Sequence, residues 1–171
     1  IAGDTEPPAS AEDWERRLQG LGLLAARDDG RPACTIAGLV LFGRSPRRSL
    51  RQAGVRWMSF ASTDKDYQAQ DDTLIDAPMV ALWEGRPGEG RQVVDSGLVE
   101  RLIDRMRPFI SEEGDASSEM LRRETNYRYP LDALRETILN ALVHRDWTRS
   151  LEVEVVNYAN RLEVVSPGTL Q

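Results

Sequence analysis

Glu136, Asn140 and His144 stand four residues apart in the stretch 129–147. At 3.6 residues per turn, that spacing lines up a carboxylate, a carboxamide and an imidazole along one side of a helix. A carboxylate can orient a water. An amide oxygen one turn away is a hard ligand, so the pair could hold Mg²⁺ beside a nucleotide phosphate. The same row is also what a solvated helix face presents, because structural ion pairs and wet surfaces use the same residue types. Asn140 is the residue that asks for a reason, since Asn is a mediocre helix former in mid-helix.

The element that must carry this row is an amphipathic helix over residues 131–145. Leu131, Leu134, Ile138, Ala141 and Leu142 fall on one side, nearly opposite Glu136, Asn140 and His144. Ala133, Leu139 and Val143 flank the polar row and would suit the wall of a pocket. Pro130 sits where a first-turn proline costs no hydrogen bond. The apolar side needs a surface to pack on. Residues 151–158 alternate in polarity and 161–165 are apolar-rich, with Ala159 and Asn160 between them, so the pattern predicts an antiparallel hairpin.

Upstream, residues 1–9 read as a frayed, polar entry. Ser10 with Asp13 resembles a capping box, and Trp14, Leu18 and Leu21 follow at helical spacing until Gly20 and Gly22 end the run. Residues 27–32 form a turn with Asp29 and Gly30 at its tip. Residues 35–43 fit a short helix capped by Thr35 and fit a buried strand equally well. Residues 53–61 alternate as a strand, with Val55, Trp57 and Ser59 set against Arg56, Met58 and Phe60. Residues 62–73 are polar and acidic, hence a loop. Residues 74–83 contain a strand weakened by Pro78, and residues 85–90 form a glycine-rich tip. Asp95 or Ser96 would cap a helix over 97–110, with Leu98, Leu102, Met106 and Phe109 on one face. A polar linker follows at 111–118, and residues 120–127 read as extended.

The pattern is that of an α/β (α+β) chain with small mixed sheets and packed helices. At 171 residues, with 40% hydrophobic and 29% charged, it can bury a real core. It divides into an N-terminal α/β region, 1–110, and a C-terminal unit, 111–171. No stretch is apolar for long enough to span a membrane. The start at Ile1 has no basic and apolar leader, and reads as a piece of a longer protein. The single cysteine, Cys34, rules out an intrachain disulfide and suits a reducing cytoplasm; it reads as a small buried hydrophobe. One cysteine and one histidine leave no structural zinc site. The net charge of −6 argues against wrapping nucleic acid nonspecifically.

The block 129–147 resembles the signature of bacterial and archaeal RecG-related proteins, which are described as helicase-like or as transcriptional regulators. Thr35-Ile-Ala-Gly-Leu-Val-Leu-Phe-Gly-Arg-Ser-Pro46 and Arg161-Leu-Glu-Val-Val-Ser-Pro-Gly168 are similar to two further blocks of the family. Such proteins carry a Schlafen AlbA-type domain followed by a histidine-kinase-like (GHKL) ATP-binding domain. The resemblance implies that 1–110 follows or completes an AlbA-type domain, and that 111–171 begins a GHKL-like two-layer α/β sandwich. In GHKL proteins a Glu-x-x-x-Asn helix supplies the general base and the Mg²⁺ ligand. Carried over, Glu136 is the base and Asn140 holds Mg²⁺ and ATP. Ser166 stands where the family has an adenine-reading Asp, Gly168 keeps the central glycine, and Leu170 replaces a second one. The chain ends before the ATP lid. The expectation is therefore ATP and Mg²⁺ binding with slow hydrolysis in the full protein, and an inactive fragment. The rival expectation is a catalytically inactive interaction, dimerisation or DNA-linked regulatory module. Expected partners are DNA through other domains and a second copy of the chain, with no membrane.

No P-loop is present, because the one lysine, Lys65, lies in Thr-Asp-Lys-Asp, so the chain is no P-loop helicase. Arg44, Arg47, Arg48 and Arg51 form a basic cluster near Trp57 and Phe60 that could meet nucleic-acid phosphates; the alternative is an arginine-rich surface turn. Asp64, Asp66, Asp71 and Asp72 lack EF-hand spacing and read as a solvated loop.

Overall fold

In a computed structural model the chain is described at residues 8–84, 92–112 and 126–168. Near the N-terminus, helix α1 (Ala11–Gly20) starts where Ser10 accepts the Asp13 amide at 3.1 Å. A short hairpin, β1 (Leu24–Ala26) and β2 (Pro32–Cys34), turns around residues 27–31. The ambiguous stretch after it is a helix, α2 (Ile36–Phe42). Thr35 decides this by accepting the Gly38 amide at 3.1 Å and donating to Gly22 O at 2.8 Å. A side chain at Gly38 would put its Cβ 2.1 Å from Leu23 O, so α2 lies directly on the chain ahead of β1.

The main sheet has the order β10-β9-β3-β4, from β3 (Val55–Ser59), β4 (Asp71–Ile75), β9 (Val153–Asn157) and β10 (Leu162–Val165). β3 runs parallel to β9, with Trp57 beside Val155; the other pairs are antiparallel. β9 and β10 form the expected hairpin, closed by the Tyr158 amide on Arg161 O at 2.8 Å. Minor pairs are β5 (Leu82–Glu84) with β6 (Gln92–Asp95), and β7 (Ser111–Glu112) with β8 (Asn126–Tyr127).

Two helices, α3 (Leu98–Ile110) and α4 (Leu131–Val143), cover one face of the main sheet. The layer between holds Val55, Trp57, Val153 and Val155 from the strands, Leu102 and Met106 from α3, and Ile138 and Leu142 from α4. Burying side chains of this size is worth about 1.5–3 kcal/mol each. On the other face Met58, Phe60, Val156 and Tyr158 form a second, smaller cluster, with Phe60 stacked on Tyr158 at 5.8 Å. Part of residues 61–70 lies over that face, where the Ala159 amide reaches Ser62 O and Lys65 reaches Glu154 at 3.3 Å.

Several expectations need correction. Residues 1–110 and 111–171 are not separately packed units. The central β3–β9 pairing joins them, and one core holds residues from both. Residues 62–73 are not all loop: β4 begins at Asp71, its charges neutralised by Arg105 and Arg56. α3 is capped neither by Asp95 nor by Ser96 but starts at Gly97 (φ +87°), whose amide Asp95 holds at 3.0 Å. Cys34 is exposed, because β2 has only a two-stranded hairpin around it. The tip at 85–90 and most of the 111–118 and 120–127 segments lie outside the described residues. No described helix is long and apolar enough to cross a membrane.

Candidate functional site

The 3.6-residue period sorts α4 as its sequence demands. Leu134, Ile138 and Leu142 are buried, Leu131 and Ala141 half-buried, and Glu136, Asn140 and His144 exposed. An Arg135–Glu100 ion pair links α4 to α3 at the edge of their packed faces. The polar row therefore faces outward by construction.

Within the row, Asn140 Nδ2 donates to Glu136 Oε1 at 3.1 Å. This bond sorts the remaining atoms by role. One of the two amide N–H groups is used on the carboxylate, which leaves Asn140 Oδ1 and Glu136 Oε2 as acceptors without a described partner. His144 is the C-cap residue of α4, its amide on Asn140 O at 3.0 Å, and its ring has no partner among the described residues. No group of three or more His, Cys, Asp or Glu side chains among the described residues could hold a metal ion unaided.

Ser166 and Gly168 come from the far end of the hairpin, yet they reach the same helix. Ser166 Oγ donates to Ala141 O at 2.7 Å, and Pro167 O accepts the Asp146 amide at 2.7 Å. The last turn of α4 leaves carbonyls without helical partners, and Ser166 satisfies one of them. Its hydroxyl proton is thereby committed, so only its lone pairs face a ligand. The structure thus gathers Glu136, Asn140 and Ser166 on and beside one helix. Gly168 is exposed two residues further on, and a Cβ there would meet nothing closer than the Asp146 amide at 3.9 Å.

Sequence reasoning left Arg145 without a role, and the structure supplies one. Its side chain is 4% exposed. Nη1 donates to Gln52 O at 2.7 Å, Nη2 donates to Leu151 O, and the guanidinium lies 4.4 Å from the Trp147 ring centre. Burial holds its pKa below the usual arginine value, with Glu152 and Asp146 pulling the other way. Gln52 answers by donating Nε2 to Trp147 O at 2.9 Å. Asp146 accepts both the Thr148 hydroxyl (2.6 Å) and the Thr148 amide (2.9 Å), which lower its pKa. The Asp-x-Thr spacing is a legible signal for that turn. The buried arginine could be read only from a contact partner 93 residues away.

The basic cluster is divided by the fold. Arg47 is not available to a ligand: it pairs with Glu152 at 2.9 Å and donates to Ala53 O at 2.8 Å. Arg44, Arg48 and Arg51 are exposed. Of the four aspartates, Asp71 and Asp72 are taken by arginines, which removes them from any cation site. Two shallow concavities, one at Arg27, Asp28 and Asp29 and one along the exposed side of α1, do not involve α4.

No protein-family model matches the chain, and no curated protein matches it. Among solved structures the chain is similar to the DIP2311 protein from Corynebacterium diphtheriae, at 23% identity and a TM-score of 0.52. The likeness covers 96% of this chain and 29% of that one, so the chain spans under a third of that protein's length, and what is shared is the fold.

Proposed function

We propose that the outward face of α4 is one wall of a Mg-nucleotide site in a RecG-related, GHKL-like regulator of the cytoplasm. The observation that carries this reading is the Asn140–Glu136 hydrogen bond, which leaves one amide oxygen and one carboxylate oxygen free on the same side of the helix. Such a donor set suits Mg²⁺, which takes one or two protein oxygens and fills its remaining positions with phosphate oxygens and water. Asn140 would be the ligand, and the bound ion would neutralise phosphate charge. Glu136 Oε2 would orient a water toward the terminal phosphate. Ser166, with its proton on Ala141 O, presents an acceptor and so favours adenine, whose 6-amino group donates, over guanine, which carries a carbonyl oxygen at that position.

A second reading is an interaction module without turnover. The open surface around Glu136 and Asn140 favours it, because among the described residues no second wall stands opposite them. Calorimetric titration with Mg-ATP separates the two. The nucleotide reading expects saturable heat that is lost in Asn140→Ala, with weaker binding of Mg-GTP. No heat, or equal heat in Asn140→Ala, would refute the metal role and leave the interaction module.

A further inference from the structure

The connector between α2 and β3 carries cations that the fold leaves unused. The side chains of Arg44, Arg48 and Arg51 have no hydrogen bond or ion pair with any described residue. Nearly every other described arginine is engaged: Arg56 and Arg105 with carboxylates on β4, Arg135 with Glu100, Arg161 with Glu163, and Arg145 with carbonyls. Arg27 is the exception, and it stands beside Asp28 and Asp29. Among the described residues, an acidic chain that pairs most of its arginines leaves three unpaired on one short connector, which gathers positive charge there.

The connector is also held in shape. A 3-10 turn (Pro46–Arg48) is followed at once by further tight turns, with the Ser49 amide on Pro46 O at 3.2 Å and the Ala53 amide on Leu50 O at 2.9 Å. Pro46 is buried, and Arg47 is locked by Glu152, by Ala53 O and through its amide to Asp76 at 3.2 Å. Arg47 thus acts as the anchor while its neighbours point their charge outward. Ser45 and Ser49 are exposed between them and add hydroxyl donors.

We propose that this connector docks on the phosphate backbone of double-stranded DNA through Arg44, Arg48 and Arg51. Arginine and serine donors in alternation are the means by which proteins grip phosphodiesters without reading sequence. Residues 43–51 expose no apolar side chain, and Phe42 at the end of α2 is a single exposed ring beside them, so the connector itself is a charged strip rather than the apolar centre of a protein interface. Among the described residues no other short segment carries three unpaired arginine side chains, and the net charge of −6 disfavours a polyanion elsewhere.

The test measures anisotropy of a labelled random-sequence duplex of about 20 base pairs with the 171-residue chain. Three phosphate contacts predict a log–log salt slope of about −2.7 and about a 40-fold loss of affinity between 50 and 200 mM salt. Binding should vanish in Arg44→Glu/Arg48→Glu/Arg51→Glu. It should persist in Arg16→Glu/Arg31→Glu/Arg107→Glu, which changes net charge equally at exposed arginines elsewhere. If the first triple variant does not fold, the corresponding Gln triple should flatten the salt slope to near zero. The proposal is overturned if the duplex does not bind, if both Glu triples lose binding alike, or if the chain prefers anionic vesicles or an acidic peptide to DNA. None of these outcomes depends on nucleotide binding at α4.

Discussion

Replacing Arg145 by Met tests whether one buried guanidinium fixes the loop behind the candidate site. The substitution keeps most of the side chain's length and apolar contact while deleting its donors. The Gln52 O bond at 2.7 Å is half-buried, and losing a charged donor there costs about 1.5–3 kcal/mol. Leu151 and Arg149 are exposed, so water can replace their bonds, at about 0.5 kcal/mol each. Against this, Met relieves the burial of a charge whose Nε has no partner. The net expectation is a loss of about 2–3 kcal/mol, or a fall in Tm of about 5–10 °C for a chain of this size. Denaturant titration and a thermal melt measure it. Hydrogen exchange of the Asp146 amide, which rests on Pro167 O, reads the local effect and should speed up more than the amides of β3. Arg145→Lys supplies the complementary control. It keeps the charge but not the fork that reaches two segments at once, so it should recover less than half of the loss. Wild-type stability in Arg145→Met, or full recovery in Arg145→Lys, would refute the account: the first would show the bonds to be idle, the second that charge alone suffices.

Two further predictions concern the sheet. Asp71 is buried, and its pKa is held below the usual 3.8 by Arg105 first, then by the hydroxyl of Thr73 and the indole N–H of Trp57. A depressed carboxylate contributes stability that is present above its unfolded pKa and lost as pH falls through the lower folded value. The acid limb of a stability–pH profile should therefore steepen below about pH 4 and flatten in Asp71→Asn; an unchanged limb would remove Asp71 from the cause. Gly54 has φ +92°, and a Cβ there would lie 2.4 Å from Ile75 O, so Gly54→Ala should lose on the order of 3 kcal/mol in denaturant titration. A loss under about 1 kcal/mol would mean that β4 shifts away without strain.

The elements that were legible in the sequence are those whose signal is local. α4 is set by its apolar period, α1 by Ser10, and the β9–β10 hairpin by alternation around Ala159 and Asn160. Glu136 and Asn140 meet because a helix makes residues four apart into neighbours, and that too is local. What could not be read depends on partners distant in sequence. Asp71 and Asp72 look like loop residues until Arg105 and Arg56 neutralise them on β4. Arg47 and Arg48 are alike in sequence, yet only Arg47 faces Glu152, more than one hundred residues on. The apparent boundary near 111 marks a polar stretch of chain, whereas β3 and β9 pair across it; composition detects linkers and is blind to pairing between strands.

Those distant contacts bear directly on the site. α4 alone presents Glu136 and Asn140, but the position of Ser166 relative to them rests on two bonds, Ser166 to Ala141 O and the Asp146 amide to Pro167 O. Asp146 in turn follows the buried Arg145, whose Nη1 reaches Gln52 O beside Arg51. Gln52 returns a bond to Trp147 O, so the connector and the loop after α4 hold each other at two points. A helix face by itself is a generic polar surface. Here a second segment is tied to that face by Ser166 on Ala141 O and by the Asp146 amide on Pro167 O, next to a buried guanidinium that holds Gln52 O and Leu151 O. The placement of Ser166 beside the candidate pair therefore rests on Ala141 O and the Asp146 amide, which belong to neither Glu136 nor Asn140.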